Sequence, residues 1–155
     1  MKMAKNERQE LIIKLIKENV ITTQEELTNM VNSNGYQITQ ATCSRDIKEL
    51  GIIKVAVPNQ GTKYAVLERT GDVAPGRLLA VFSNSVLSCS PAMNIVVIKT
   101  LPGMAQAAAS ALDSMHLSSV VGTIAGDDNI FVATPSVDEA TALVETINDM
   151  VNDDI

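Results

Sequence analysis

Gln40-Ala41-Thr42-Cys43-Ser44-Arg45-Asp46-Ile47-Lys48-Glu49-Leu50-Gly51-Ile52-Ile53-Lys54-Val55-Ala56-Val57 reads as a helix closed by glycine and followed at once by a strand. Wrapped at about 100° per residue, Cys43, Ile47 and Leu50 share one stripe, while Ala41, Arg45 and Lys48 fall opposite, flanked by Thr42 and Ser44. One face is made to pack and the other to be presented. Gly51 suits the left-handed residue that ends such a helix.

Upstream, Leu11, Ile12, Leu15 and Ile16 recur at helical spacing from about Lys5 to Glu18. Thr23 as N-cap with Glu26 three residues on forms a capping box for a second helix, which runs to Asn34-Gly35. Downstream, Thr62 to Leu67 is a second strand, joined to Ile52–Val57 by the turn-rich Pro58-Asn59-Gln60-Gly61. Three helices and a hairpin make a winged helix-turn-helix. On that fold the small residues of the presented face permit close approach to a DNA groove, Arg45 suits a bidentate guanine contact, and the hydroxyls suit phosphates or base edges. Lys54 and Lys63 are candidate backbone contacts on the wing. The plainer reading of the same face is a solvated helix surface. Tyr64 is expected in the hairpin core. Cys43 is expected as a small core hydrophobe ahead of a redox sensor.

Charge is divided along the chain. Residues 1–70 carry ten Lys+Arg against eight Asp+Glu, whereas residues 71–155 carry two against ten, a difference that signals two domains. With net charge −6 the chain is a poor fit to indiscriminate DNA coating, and several copies acting together are expected. With no Trp, two Phe and two Tyr it is poorly equipped to stack on single-stranded nucleic acid. Cys43 and Cys89 lack metal-finger spacing, and no disulfide framework is expected. The first twenty residues are charged throughout and no apolar run approaches the roughly 18 residues of a membrane span, so a cytoplasmic protein is expected.

Glu68 to Gly76 breaks the hydrophobic pattern and reads as a hinge. We expect domains over 1–68 and 78–155 with a linker at 69–77. Leu78–Phe82 leans to helix, and Val86–Ser90 and Asn94–Thr100 are strands around a Pro91-Ala92 turn. Ile95-Val96-Val97-Ile98 is apolar on both faces and therefore central. Pro102-Gly103 is expected to open an Ala-rich helix to about Met115, carrying Gln106 and Asp113 on nearly one face. Val120–Ala125 and Asn129–Ala133 are strands, and Ser136–Val151 is an amphipathic helix. The order ββαββα predicts an α+β layer, with helices on one face of an antiparallel sheet and the other face open to a partner. Asp127 and Asp128 fall at the bend between the last two strands. They are read either as an ordinary turn or as a site for a metal or an organic cation such as guanidinium. His116, the only histidine, is expected at a helix end without a metal.

Three motifs in order, Thr42-Cys43-Ser44-Arg45-Asp46-Ile47-Lys48-Glu49-Leu50-Gly51, Pro102-Gly103-Met104-Ala105-Gln106 and Gly122-Thr123-Ile124-Ala125-Gly126-Asp127-Asp128, together resemble the bacterial arginine repressor family. The resemblance covers essentially the whole chain. It implies a cytoplasmic, non-enzymatic transcription regulator of arginine metabolism, a repressor or activator of biosynthetic or catabolic genes. It implies double-stranded operator DNA as partner and L-arginine as co-effector, with no other cofactor. It also implies a homo-hexamer built as a dimer of trimers, with mixing with a paralogue as a variant. Position by position, Ser44 and Arg45 correspond to the DNA-reading pair with Gln40 and Thr42 as helpers, and Lys48 joins Lys54 and Lys63 in the DNA-binding set. The arginine site corresponds to Gln106, Asp113, Thr123, Ala125, Asp127 and Asp128. Two residues depart from the family pattern: Cys43 stands for an aliphatic residue and Asn129 for a threonine. The rival readings are a regulator of the same architecture that senses another amino acid or partners a sister subunit, and, more distantly, a metal-dependent hydrolase resting on Asp127, Asp128 and His116.

Overall fold

The computed structural model describes residues 2–67 and 71–152. In the first half, α1 (Lys2–Glu18), α2 (Gln24–Ser33) and α3 (Gln40–Leu50) precede the hairpin β1 (Ile52–Val57) and β2 (Gly61–Val66). The second half runs α4 (Pro75–Ser85), β3 (Val86–Ala92), β4 (Ile95–Thr100), α5 (Ala105–Ser114), β5 (Gly122–Ala125), β6 (Asn129–Ala133) and α6 (Val137–Asn152). Mixed α+β architecture with a winged helix-turn-helix first half is what the sequence predicts.

Local chemistry sets the helix ends. Thr23 Oγ1 accepts from Glu26 N at 3.1 Å, while the Glu26 carboxylate reaches back one residue further than a capping box requires, to Thr22 N at 3.2 Å. Thr39 caps α3 through Thr42 N, and Gly51 ends it in the left-handed conformation at φ 69°. Ile12, Ile21, Leu27, Val31 and Cys43 are wholly buried between these helices, and Ile47 and Tyr64 complete that core.

The second half is an antiparallel sheet in the order β3-β4-β6-β5, so β4 and β6 are central. Val96, Ile98, Ile130 and Val132 face α5 and α6 and are fully buried. On the other face Val97, Phe131 and Ile124 lie in one cross-strand row. Phe131 is 57% exposed and Ile124 78%. One sheet face is thus a core and the other is bare.

Several boundaries depart from expectation for identifiable reasons. Pro91 and Ala92 remain in β3, paired with Val96 and Ile95, and the reversal occurs at Met93, whose φ is 57°. Pro102-Gly103 does not start α5: Gly103 is left-handed at φ 76°, Met104 N closes a turn onto Leu101 O, and the helix begins at Ala105. Strand β5 is shorter than expected, beginning at Gly122. Of the expected linker, Glu68, Arg69 and Thr70 lie outside the described residues. Pro75, Gly76 and Arg77 are not linker but the first turn of α4, with proline at the position where its missing N–H costs nothing.

The two halves are packed together. Alternation along β1 sends Ile52 into the first core and Ile53 into the second, where Leu67 joins it. Ala56 N, on the edge of the hairpin away from β2, donates to Thr146 Oγ1 of α6 at 2.8 Å, and the same hydroxyl donates to Ala142 O at 3.2 Å. The end of α3 also meets the start of α4. A β-carbon on Gly76 would lie 2.5 Å from Glu49 O, and one on Gly51 would lie 2.5 Å from the Pro75 carbonyl carbon. Replacing Thr146 with Val keeps the shape and leaves the buried Ala56 N–H unpaired. Such a loss costs about 1–3 kcal/mol. Urea unfolding of Thr146→Val should show a lowered midpoint on that scale, and an unchanged midpoint would remove this bond from the account.

Candidate functional site

The presented face of α3 occupies its first two turns. Gln40, Ala41 and Arg45 are exposed, and Thr42 and Ser44 are half-buried. Arg45 Nε donates to Ala41 O at 3.3 Å, so the side chain lies back along its own helix, and among the described residues it has no carboxylate partner. A guanidinium held only by a backbone carbonyl is available for a bidentate partner. Behind this face Cys43 and Ile47 are buried as the stripe predicts. So is Asp46, at 1% exposure, which the stripe does not predict.

The seven candidate DNA-contact residues do not all share that face. Lys48 and Lys54 line a cleft of 430 Å³ between the halves, together with Asn84 and Asp149 from the second half. Lys54 Nζ sits 5.4 Å from the centroid of the Tyr64 ring, a cation–π contact that holds it at the cleft wall. Lys63 is exposed on β2. Gln40, Thr42, Ser44 and Arg45 therefore form one surface, Lys63 lies on the wing, and Lys48 and Lys54 line the cleft.

The six residues expected to hold a ligand divide in two. Gln106, Asp113, Thr123 and Ala125 line one open hollow of 380 Å³ between α5 and β5. Gln106 Nε2 donates to Ala125 O at 3.2 Å, and Thr123 Oγ1 lies 2.9 and 3.0 Å from the two oxygens of Asp113. Asp127 and Asp128 are both exposed at the bend outside the hollow. Their main chain is fixed. Ala105 N donates to Asp127 O at 3.2 Å, Thr100 N donates to Asp128 O at 2.8 Å, and Gly126 N closes the bend on Asn129 O. The backbone of the bend is thereby tied to the start of α5 and the end of β4, beside Ala125 of the hollow, and both carboxylates are exposed there. None of Asp113, Asp127 and Asp128 has a Lys or Arg ion-pair partner among the described residues. Three unneutralised carboxylates favour an incoming cation.

Asn129 modifies this bend. Its Nδ2 donates to Asp128 Oδ1 at 2.7 Å, while its Oδ1 is buried with no hydrogen-bond partner. A threonine at this position would supply one hydroxyl in place of an amide. Ser110 and His116 also line the hollow; sequence reasoning did not single out Ser110, and named His116 only in the rival hydrolase reading. Ser110 was findable, being four residues from Gln106 and three from Asp113 on the same helix face. His116 is at the end of α5 as expected, at φ 51°, which turns the chain away toward β5. Among the described residues no three His, Cys, Asp or Glu side chains assemble into a cation cage. No helix among them is long and apolar enough to cross a membrane.

Both cysteines are free, and burial pushes both thiols up, Cys89 to about 11. Cys89 Sγ lies 3.4 Å from Asn148 Oδ1 and is held against α6. Since the thiolate is the reactive form, alkylation by iodoacetamide at pH 8 should be at least about tenfold slower in the folded protein than in urea. Equal rates would show that one of the thiols is activated instead.

Comparison with known proteins covers both halves. Residues 3–72 match the family model described as arginine repressor, DNA binding domain, and residues 82–149 match the one described as arginine repressor, C-terminal domain. The arginine repressor of Acetivibrio thermocellus is 46% identical over 150 residues, covering 97% of this chain and 98% of that protein. The arginine repressor of Caldicellulosiruptor bescii is 46% identical over 96% of this chain and 97% of its own length, and that of Alkaliphilus oremlandii 50% identical over 81% and 84%.

Proposed function

Because this chain belongs to the arginine repressor family, we propose that it is a DNA-binding transcription regulator whose operator binding responds to L-arginine. It acts on genes of arginine biosynthesis or catabolism, as repressor or activator, in the cytoplasm and by binding rather than catalysis. The observation that carries the reading is the acid set of the second half. Asp113 is fixed by Thr123 in the hollow, and Asp127 and Asp128 stand at its rim, all without a cation. Arginine brings a planar guanidinium that matches a carboxylate as a fork and an α-ammonium for a second acid. Gln106, Thr123 and the Ala125 carbonyl supply the remaining polar partners.

In this reading residues 1–68 bind DNA, residues 69–74 connect, and the second half from Pro75 at the start of α4 binds effector and assembles. Ser44 and Arg45 read bases, with Gln40 and Thr42 beside them and Lys63 of the wing on a phosphate, while Lys48 and Lys54 face the cleft between the halves. Assembly as a hexamer of two trimers uses the bare sheet face and the unpaired edge of β5, since an exposed apolar edge strand invites another chain. Effector bound where subunits meet neutralises their facing acids and favours the assembled form.

A mobility shift of the DNA upstream of its own gene should tighten when L-arginine is added, and indifference to arginine would count against the effector assignment. Arg45→Ala should weaken that complex by about 1–3 kcal/mol without changing thermal stability, as loss of one bidentate base contact does. An undiminished shift would take Arg45 out of the reading set.

Asn129 favours a second reading at one point, because its amide occupies an oxygen of Asp128 and adds a buried acceptor. A regulator of the same architecture could on that account be tuned to another amino acid, or serve in mixed assemblies with a paralogue. Calorimetric titration with arginine, citrulline, ornithine and lysine separates these, arginine being expected to bind tightest. Asp128→Asn should nearly abolish that heat and uncouple assembly size from arginine in sedimentation. A mutant whose sedimentation still shifts with arginine would refute the neutralisation mechanism.

A further inference from the structure

Reading bases requires more of α3 than an exposed face. Contacts to base edges need side chains held within roughly 0.5 Å and 10–20°, which means that the roll of the helix about its axis must be fixed. The apolar attachment of α3 is a single narrow stripe: Cys43 and Ile47 are its buried apolar side chains, with Leu50 half-buried at its end. Small, smooth contacts of this kind leave roll weakly determined. The third buried residue is a carboxylate.

Asp46 lies beside Arg45 in sequence and is 1% exposed. Arg8 of α1 grips it as a fork, Nε to Oδ2 at 2.6 Å and Nη2 to Oδ1 at 3.0 Å. Gln9 Nε2 also donates to Asp46 Oδ1 at 3.0 Å and, at the same distance, to Glu49 Oε2. Lys5 Nζ closes the row on Glu49 at 2.9 Å. Three residues within one turn and a quarter of α1 thus hold two residues one turn apart on α3. The Lys5–Glu49 end is solvent-exposed and contributes little, whereas the Arg8 and Asp46 side chains are 16% and 2% exposed. The Arg8 guanidinium is pushed up by its hydrogen bond to Asp46, and Lys5 and Gln9 hold the Glu49 carboxyl below its usual range.

A buried ion pair is a poor way to gain stability, because an apolar pair of similar volume does as well or better. What a guanidinium–carboxylate fork provides is direction: two parallel bonds in one plane fix relative orientation in a way that apolar contact does not. We propose that Arg8 and Asp46 are positioning residues for DNA reading, a clamp from α1 that sets the roll of α3 so that Ser44 and Arg45 face the groove. The inference rests on the DNA-reading function proposed above.

The test uses the full chain and two readouts, the urea unfolding midpoint and the ratio of affinities for its own upstream DNA and for an unrelated duplex at one salt concentration. The double variant Arg8→Met with Asp46→Leu should keep the wild-type midpoint or exceed it. Its affinity ratio should fall by about tenfold or more, the scale of one lost bidentate base contact, while its affinity for the unrelated duplex is unchanged. Arg8→Lys, which keeps the charge and loses the fork, should fold and lose discrimination in the same sense. A double variant that folds and discriminates like wild type overturns the clamp. Should the double variant fail to fold, Arg8→Lys decides: folded with reduced discrimination supports the clamp, and folded with full discrimination overturns it. A wild type that does not discriminate between the two duplexes refutes the DNA-reading function itself and the clamp with it.

Discussion

The two-sided burial of β1 is the constraint on which the rest of the subunit depends. Ile52 looks into the three-helix core, Ile53 into the core beneath the second sheet, and Leu67 follows Ile53. Fully burying a side chain of this size contributes roughly 1.5–3 kcal/mol, and these few residues do so while belonging to the hairpin that follows α3. An ordinary wing is half-exposed and could be displaced at little cost. Here displacement would expose apolar surface on both halves and strip Ala56 N of its partner on α6.

Much of this was legible in the sequence. The helices of the first half follow from apolar spacing and from Thr23 and Gly51, because caps act locally and leave a local signature. Likewise Ile95–Ile98, apolar on both faces, announces a central strand. Features set by tertiary contact were not legible. Burial of Asp46 depends on Arg8 lying 38 residues away, and a charged residue at that position in a helix reads as solvated until its partner is known. Pro75 and Gly76 carry the composition of a linker, yet the same two residues suit a helix start that must come against another backbone. The adjacent apolar residues Ile52-Ile53 and Val55-Ala56-Val57, on either side of Lys54, were the available hint that this hairpin is covered on both sides.

The residues around the hollow were legible only in part for a different reason. Gln106 and Asp113 share a helix face, and a pattern of period 3.6 finds them. Thr123 and Ala125 came through family likeness alone, since a hydroxyl and a backbone carbonyl on a short strand carry no sequence signal of their own. The structure joins these four across α5 and β5 and leaves Asp127 and Asp128 at the rim, where one subunit supplies acids without enclosing anything. The hollow is open to solvent on its outer side. The surplus of acids over bases in the second half belongs to the same picture: charge left unpaired in the monomer is available to whatever arrives.

The approach of α3 to α4 carries a mechanical consequence. With glycine on both sides, backbone rests on backbone at Gly51 and Gly76, and no side chain intervenes to rearrange. Such a joint transmits displacement without absorbing it. Displacement of α4 is therefore passed directly to α3, on which Arg45 lies, and is not taken up in a loose tether.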